Sequence, residues 1–254
     1  MSTYNPFNLD GKNFLITGAA SGIGKATSIV LSKLGARLIL VDINEDGLQQ
    51  TKLECSNDVS LLIVDLANIN TIKDKVLSAI PEFGKLHGFV HLAGKPYIAP
   101  LKSVSIEKCN DIFSINTLSA IELSKVFTSR NVYVGEKGSI VFVSSVYGVV
   151  GSAANVAYAM SKSALHGITK ALAIELSSKK IRVNCIAPGF VKTNMLDTSS
   201  TMFDINYAET LKKLHPLGVG EPEDIAYSIA YLLSDAAKWV TGSIMNIDGG
   251  FTAQ

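Results

Sequence analysis

Short apolar runs rich in β-branched residues recur along the chain, separated by longer stretches with helical periodicity. The runs are NFLIT (13–17), RLILV (37–41), SLLIV (60–64), GFVHL (88–92), SIVFV (139–143), IRVNCI (181–186) and SIMNI (243–247). They are largely apolar at consecutive positions rather than at alternate ones, so both faces are to be buried. Strands of that kind belong to parallel sheets whose connections are helices. Helices are predicted over 23–34, 45–54, 70–79, 106–129, 155–177 and 222–234. The pattern therefore predicts an α/β fold, a Rossmann-like doubly wound parallel sheet of about seven strands with helices on both faces. No linker or internal repeat divides the chain, and residues 1–254 read as one domain. The least regular stretch, about 189–220, reads as a substrate lid, because long irregular excursions in compact domains are usually functional.

Composition narrows the classes. Of 254 residues, 47% are hydrophobic, which is enough for a large core. The formal net charge is +1 with no dense Lys/Arg run, which argues against a nucleic-acid or anionic-membrane partner. No apolar stretch approaches membrane-span length, and the first residues lack the basic and apolar regions of a secretory signal. Cys55, Cys109 and Cys185 are odd in number and far apart, as expected of reduced, mostly buried thiols in a cytoplasmic protein.

The first strand runs into a glycine turn, TGAASGIGK, and then a helix. Gly18, Gly22 and Gly24 would let the backbone approach a pyrophosphate, and the helix N-terminus offers free N–H groups. The turn is not a Walker A loop, since Lys25 is followed by Ala26 rather than Ser or Thr. The second strand ends at Asp42, 24 residues after Gly18, where a dinucleotide fold needs an acid for the adenosine ribose. At about 5 Å and an effective dielectric of about 20, each unit of like charge costs about 3 kcal/mol, so a 2′-phosphate would be disfavoured about a hundredfold. Neither Ser21 nor Ile43 compensates. The predicted cofactor is NAD(H) in preference to NADP(H). The competing reading of Asp42 is a helix cap before 45–54.

On a helix over 155–177, Tyr158 and Lys162 stand at i and i+4. Tyr147 lies in the preceding loop and reads as a pocket or packing residue. Acid–base work near neutral pH needs a phenol brought down by about three pKa units from about 10. An ammonium about 5 Å away supplies roughly 3 kcal/mol of the required 4. Ser145, at the carboxyl edge of the fifth strand and 13 residues before Tyr158, can hydrogen-bond an alcohol or carbonyl oxygen there.

T-G-x3-G-x-G, then Ser, then Tyr-x3-Lys, over nearly the whole chain, resembles the short-chain dehydrogenase/reductase family in its compact single-domain branch. The resemblance implies a catalytic tetrad of Asn116, Ser145, Tyr158 and Lys162. Tyr158 would exchange the proton, Lys162 would lower its pKa and hold the nicotinamide ribose, Ser145 would position the substrate oxygen, and Asn116 would hold a water. It implies cofactor contacts from Gly18, Ser21, Gly22, Ile23, Gly24 and Asp42 in the first half-fold, and from Asp65 and Leu66 after the third strand. Further contacts would come from Ala93 and Gly94, from Tyr158 and Lys162, and from Pro188, Gly189, Val191 and Thr193. The chemistry implied is hydride transfer between nicotinamide and the carbinol carbon of a small-molecule alcohol or ketone. The quaternary structure implied is a homotetramer joined through the helices at 106–129 and 155–177.

Two segments depart from the family pattern. His91-Leu92-Ala93-Gly94 stands where Asn-Asn-Ala-Gly is usual, and Val219 replaces a common arginine. His87 and His91 are four apart, but without a third ligand they are not read as a metal site, and none is predicted. His166 and His215 read as surface or satisfied polar residues. Overall pattern is nearest to 3-oxoacyl-[acyl-carrier-protein] reductases, which usually prefer NADPH, whereas Asp42 favours a sugar, polyol, hydroxysteroid or hydroxyacyl dehydrogenase. Met195, Leu196, Met202 and Phe203 in the expected lid hint at a partly apolar substrate. A catalytically silent NAD-binding sensor is a weaker alternative, since Tyr158 and Lys162 are both kept.

Overall fold

In the computed structural model, which describes residues 5–193, 210 and 213–253, the seven apolar runs form one parallel sheet in the order β3-β2-β1-β4-β5-β6-β7. The strands are β1 (Asn13–Thr17), β2 (Arg37–Asp42), β3 (Val59–Ile63), β4 (Gly88–His91), β5 (Gly138–Val143), β6 (Ile181–Pro188) and β7 (Ile244–Ile247). Successive strand residues feed opposite faces, as the two-residue period requires. Leu15, Ile39, Phe89, Phe142 and Val183 join one core layer with Ile72, Leu123 and Leu165 from helices. From the opposite face Ile16, Leu38, Val90, Val141 and Ile186 join the other with Leu31, Ile225 and Ile229.

The helices are α1 (Gly22–Lys33), α2 (Glu45–Glu54), α3 (Ile69–Phe83), α4 (Ile106–Phe113), α5 (Ser119–Phe127), α6 (Val156–Glu175) and α7 (Pro222–Leu233). The helix expected to end at 79 continues to Phe83, because Pro81 falls in the last turn and Gly84, at φ 97°, closes it. The helix expected over 106–129 is not continuous. A π turn, Ser114–Leu118, separates α4 from α5 and carries Asn116 on its inner side. Inserted π turns of this kind are common at functional sites.

Sheet order reverses between β1 and β4, with Thr17 paired to Val41 on one side and to His91 on the other. Ligands of open α/β sheets bind at such a switch point, beyond the carboxyl ends of the strands. No helix among the described residues is long and apolar enough to cross a membrane. Of the expected lid, 189–193, 210 and 213–220 are described, and Met195, Leu196, Met202 and Phe203 lie outside the described residues.

Candidate active site

A cleft of about 440 Å³ opens at the switch point. Among the described residues, every position expected to contact cofactor or substrate lines it except Asn116. Glycine is required at its floor for steric reasons. Gly18 has φ +69°, and a Cβ there would stand 2.9 Å from the Ala93 nitrogen, while one on Gly24 would fall 1.9 Å from the Gly18 carbonyl oxygen. A Cβ on Gly94 would meet Asn116 Oδ1 at 3.0 Å and Lys162 Nζ at 3.2 Å. The turn, the opposite strand end and the basic residue are therefore as close as bare backbone allows. Ser21 caps α1 with extended backbone but gives its first turn no side-chain hydrogen bond, and no acid sits in that turn. That end is a ready anion site. The residues fit a dinucleotide: the open N-terminus of α1 could take an anionic group, and the Asp42 and Asp65 carboxylates could accept from hydroxyls or N–H groups.

Asp42 is not the cap of α2. Asn44 is, accepting from the Gly47 N–H at 3.0 Å. The Asp42 carboxylate instead takes N–H groups from Ala20 at 3.1 Å, Ile43 at 2.8 Å and Asn44 at 3.1 Å, which fixes it at the rim of the cleft. Asp65 is held likewise by the Ala67 N–H at 2.9 Å. Thr193 closes the other side, its methyl 3.2 Å from where a Gly22 Cβ would be.

Tyr158 and Lys162 come together on α6, with Lys162 Nζ 5.9 Å from the centre of the Tyr158 ring. Nζ donates to the Val143 carbonyl at 2.9 Å, so the ammonium is anchored to the end of β5. Lys162 is buried, and burial brings its pKa down to about 8. Tyr158 is half-buried and lines the cleft. Burial there pushes the phenol up to about 12; a hydrogen bond with Ser145 acts against the rise, and nearby Tyr147 adds to it. Burial is the largest influence on the phenol, and the Lys162 ammonium faces the Val143 carbonyl. Ser145 also accepts from the Tyr147 N–H at 3.2 Å.

Asn116 stands behind this group. Its Oδ1 accepts from the Lys95 N–H at 2.8 Å, and its Nδ2 donates to the Lys95 carbonyl at 3.1 Å and to Ser161 Oγ at 2.9 Å. Ser161 in turn donates to the Tyr158 carbonyl at 2.8 Å. Both amide hydrogens are used, leaving one lone pair of Oδ1 as the atom able to engage a water. Asn116 ties the loop after β4 to the turn of α6 that carries Tyr158.

His91 has a connected role that spacing did not reveal. Thr17 Oγ1 receives the N–H groups of Leu92 at 3.0 Å and Ala93 at 3.1 Å, so its proton goes to His91 Nδ1 at 3.1 Å. Ser119 Oγ donates to the Ile115 carbonyl at 2.6 Å, so it accepts from His91 Nε2–H at 3.2 Å. The chain of bonds assigns the tautomer and links the Ala93 backbone to the π turn. Burial lowers the His91 pKa to about 3, so the ring stays neutral.

His166 and His215 are satisfied polar residues, the former on Ser144 Oγ at 2.9 Å, the latter accepting from the Phe190 N–H at 3.1 Å. Cys185 is buried, while Cys55 and Cys109 are only partly so. Lys95, Pro96, Ile98, Asn155 and Phe190 also line the cleft. No local pattern marked them, since they converge only through the topology.

Comparison with known proteins gives a consistent picture. The family model described as Enoyl-(Acyl carrier protein) reductase matches residues 18–252. A 2,5-dichloro-2,5-cyclohexadiene-1,4-diol dehydrogenase of Sphingobium indicum is 35% identical over 97% of this chain and 99% of its own. A 3-oxoacyl-[acyl-carrier-protein] reductase of Thermotoga maritima is 35% identical over 95% and 98%. Among solved structures, 4-hydroxyisoleucine dehydrogenase complexed with NADH has a TM-score of 0.88 at 31% identity, covering 96% of this chain and all of its own. A structure from Agrobacterium tumefaciens assigned as a 2-deoxy-D-gluconate 3-dehydrogenase, with bound NADP, has a TM-score of 0.88 at 29% identity over 99% and 100%.

Proposed function

The chain belongs to the short-chain dehydrogenase/reductase family, and from that membership we propose that it interconverts a secondary alcohol and a ketone with NAD(H). The observation that carries the reaction is the meeting of Ser145, Tyr158 and Lys162 beside Gly94 at the carboxyl edge of the sheet. The cofactor supplies or takes up the hydride when bound. Ser145 holds the reacting oxygen beside the Tyr158 hydroxyl, which gives or takes the proton. With its pKa raised by burial, the phenol keeps its proton at neutral pH and is loaded to donate to a ketone oxygen. Lys162, mostly protonated below its lowered pKa of about 8, holds a positive charge beside the forming alkoxide. Asn116 positions both partners through Lys95 and Ser161.

The preference for NAD(H) rests on Asp42, a fixed carboxylate at the cleft rim with no Lys or Arg among its hydrogen-bond partners. A second reading is NADPH-dependent 3-oxoacyl-[acyl-carrier-protein] reduction, favoured by the Thermotoga maritima relative and by the NADP-bound neighbour. The seven strands in one sheet support reading 1–254 as one cofactor-binding and catalytic domain.

Tyr158→Phe tests the mechanism. Turnover should fall by about 10²–10⁴ while the affinity for NADH, read by fluorescence titration, stays within about threefold. Alcohol oxidation by the wild type should quicken with rising pH and ketone reduction should slow, because oxidation needs the phenolate and reduction the phenol. Undiminished turnover in Tyr158→Phe would remove Tyr158 from the mechanism.

A further inference from the structure

We propose that the substrate end of the cleft accepts a saturated six-membered ring bearing the reacting secondary alcohol, with one C–H face against a fixed aromatic corner. The inference rests on the alcohol–ketone reading above. Tyr147, on the turn after β5, and Phe190, after β6, both line the cleft. Their centroids are 5.7 Å apart with planes at 88°, so the two rings form an inside corner rather than a flat wall. The corner is backed. Phe251 lies 6.5 Å from Tyr147 and 6.1 Å from Phe190, and His215 packs at 5.0 Å from Phe251 and 5.4 Å from Phe190. The backbone behind it has no slack, since a Cβ on Gly189 would fall 2.8 Å from Asp248 Cα. A surface fixed before binding favours a rigid ligand, which loses little freedom on docking.

The corner stands beside the chemistry, for Tyr147 follows Ser145 by two residues and is close enough to Tyr158 to influence its ionisation. Its polar groups turn toward each other. The Tyr147 hydroxyl lies near enough to Ser152 for that side chain to act on its ionisation, and Asn155 Nδ2 donates to Ser152 Oγ at 3.0 Å. Among the described residues, the charged ones lining the cleft are Asp42 and Asp65 on the adenosine side, Lys162 beside Tyr158, and exposed Lys95. Aromatic faces reward contact with carbon, and a hydroxyl pressed on them without a partner is penalised. A carboxylate-bearing open-chain polyol therefore finds little to bind here. A ring whose hydroxyls project from its edge finds a surface matching its C–H face, whether it is a carbocycle or a pyranose.

The experiment measures initial rates of the full-length protein with NAD⁺ and NADP⁺ on cyclohexanol, methyl α-glucopyranoside and open-chain 3-hexanol. Cyclohexanone and an acetoacetyl thioester are the reverse-direction probes. A kcat/KM for one of the two rings at least about tenfold above that for 3-hexanol is expected, and whichever ring leads identifies the source. Tyr147→Ala should erase that preference through a higher KM for the ring with unchanged NADH affinity, while Tyr147→Phe, which keeps the aromatic face, should retain it. Equal kcat/KM for ring and chain, a preference unaltered in Tyr147→Ala, or turnover of the thioester alone overturns the inference and leaves the oxidoreductase reading standing. A protein that binds NADH yet turns over nothing in either direction overturns that reading, and the inference falls with it.

Discussion

At the scale of single residues, cofactor choice hangs on where one carboxylate is pointed. Asp42 is held by the N–H groups of Ala20, Ile43 and Asn44. Removing it in Asp42→Ala deletes a negative charge and frees three donors at the same spot. A 2′-phosphate would then lose a repulsion of about 3 kcal/mol per unit charge and gain N–H partners. The ratio of NADPH to NADH dissociation constants should fall by about a hundredfold in Asp42→Ala, as measured by fluorescence titration. An unchanged ratio would mean that the selector lies elsewhere. The position and type of Asp42, the glycines and Tyr158 with Lys162 were legible in the sequence, because each depends on local spacing along one strand, turn or helix. The ionisation of Tyr158 was not. It is set by how deeply the cleft buries the phenol, and burial is a property of the assembled fold.

At the scale of elements, the seven strands were legible because burial on both faces leaves an uninterrupted apolar run. The π turn at Ser114–Leu118 was not, since residues on either side of it have ordinary helical character. Its cause is tertiary. Asn116 and Thr117 turn inward to bond Lys95, Ser161 Oγ and the Ser161 carbonyl, and His91 holds Ser119 from below. The histidine that departs from the family pattern thus braces three elements, β1, β4 and the start of α5. His91→Leu should leave Thr17 and Ser119 each short of a buried partner, at a cost of about 1–3 kcal/mol apiece. The expected outcome is a lowered midpoint of thermal unfolding together with a raised KM for cofactor, because the Ala93–Gly94 backbone loses its tie to the π turn. His91→Asn, which keeps one acceptor and one donor, should recover part of both. A leucine variant as stable as the wild type would show that the hydrogen-bond chain contributes nothing net.

At the scale of the whole molecule, the outer face of α6 remains to be explained. Its inner side buries Ala157, Ser161, Lys162, Leu165, Thr169 and Ala173. Its outer side exposes Val156, Met160, Ser163, Gly167, Ala171 and Ile174, a stripe of small and apolar residues with the spacing of one helix face. On the neighbouring segment Ile106, Leu118 and Ile121 are exposed as well. Apolar surface of this kind on both helix segments expected at the subunit contacts supports a homotetramer. Light scattering should then give a mass four times the 27.1 kDa of the chain. Gly167 offers a sharper test, because a Cβ added there meets nothing within 4 Å in the single chain. Gly167→Glu should fold at least as well as the wild type, since glutamate favours a helix over glycine by about 0.5–1 kcal/mol. Against a second copy of α6 the same carboxylate would be buried without a partner, so the mass should drop to that of a dimer or monomer. The inner side of this helix carries Tyr158 and Lys162, so loss of assembly should also lower turnover and thermal stability together. A Gly167→Glu protein that kept the full mass would place the subunit contacts away from α6 and free the active site from any dependence on them.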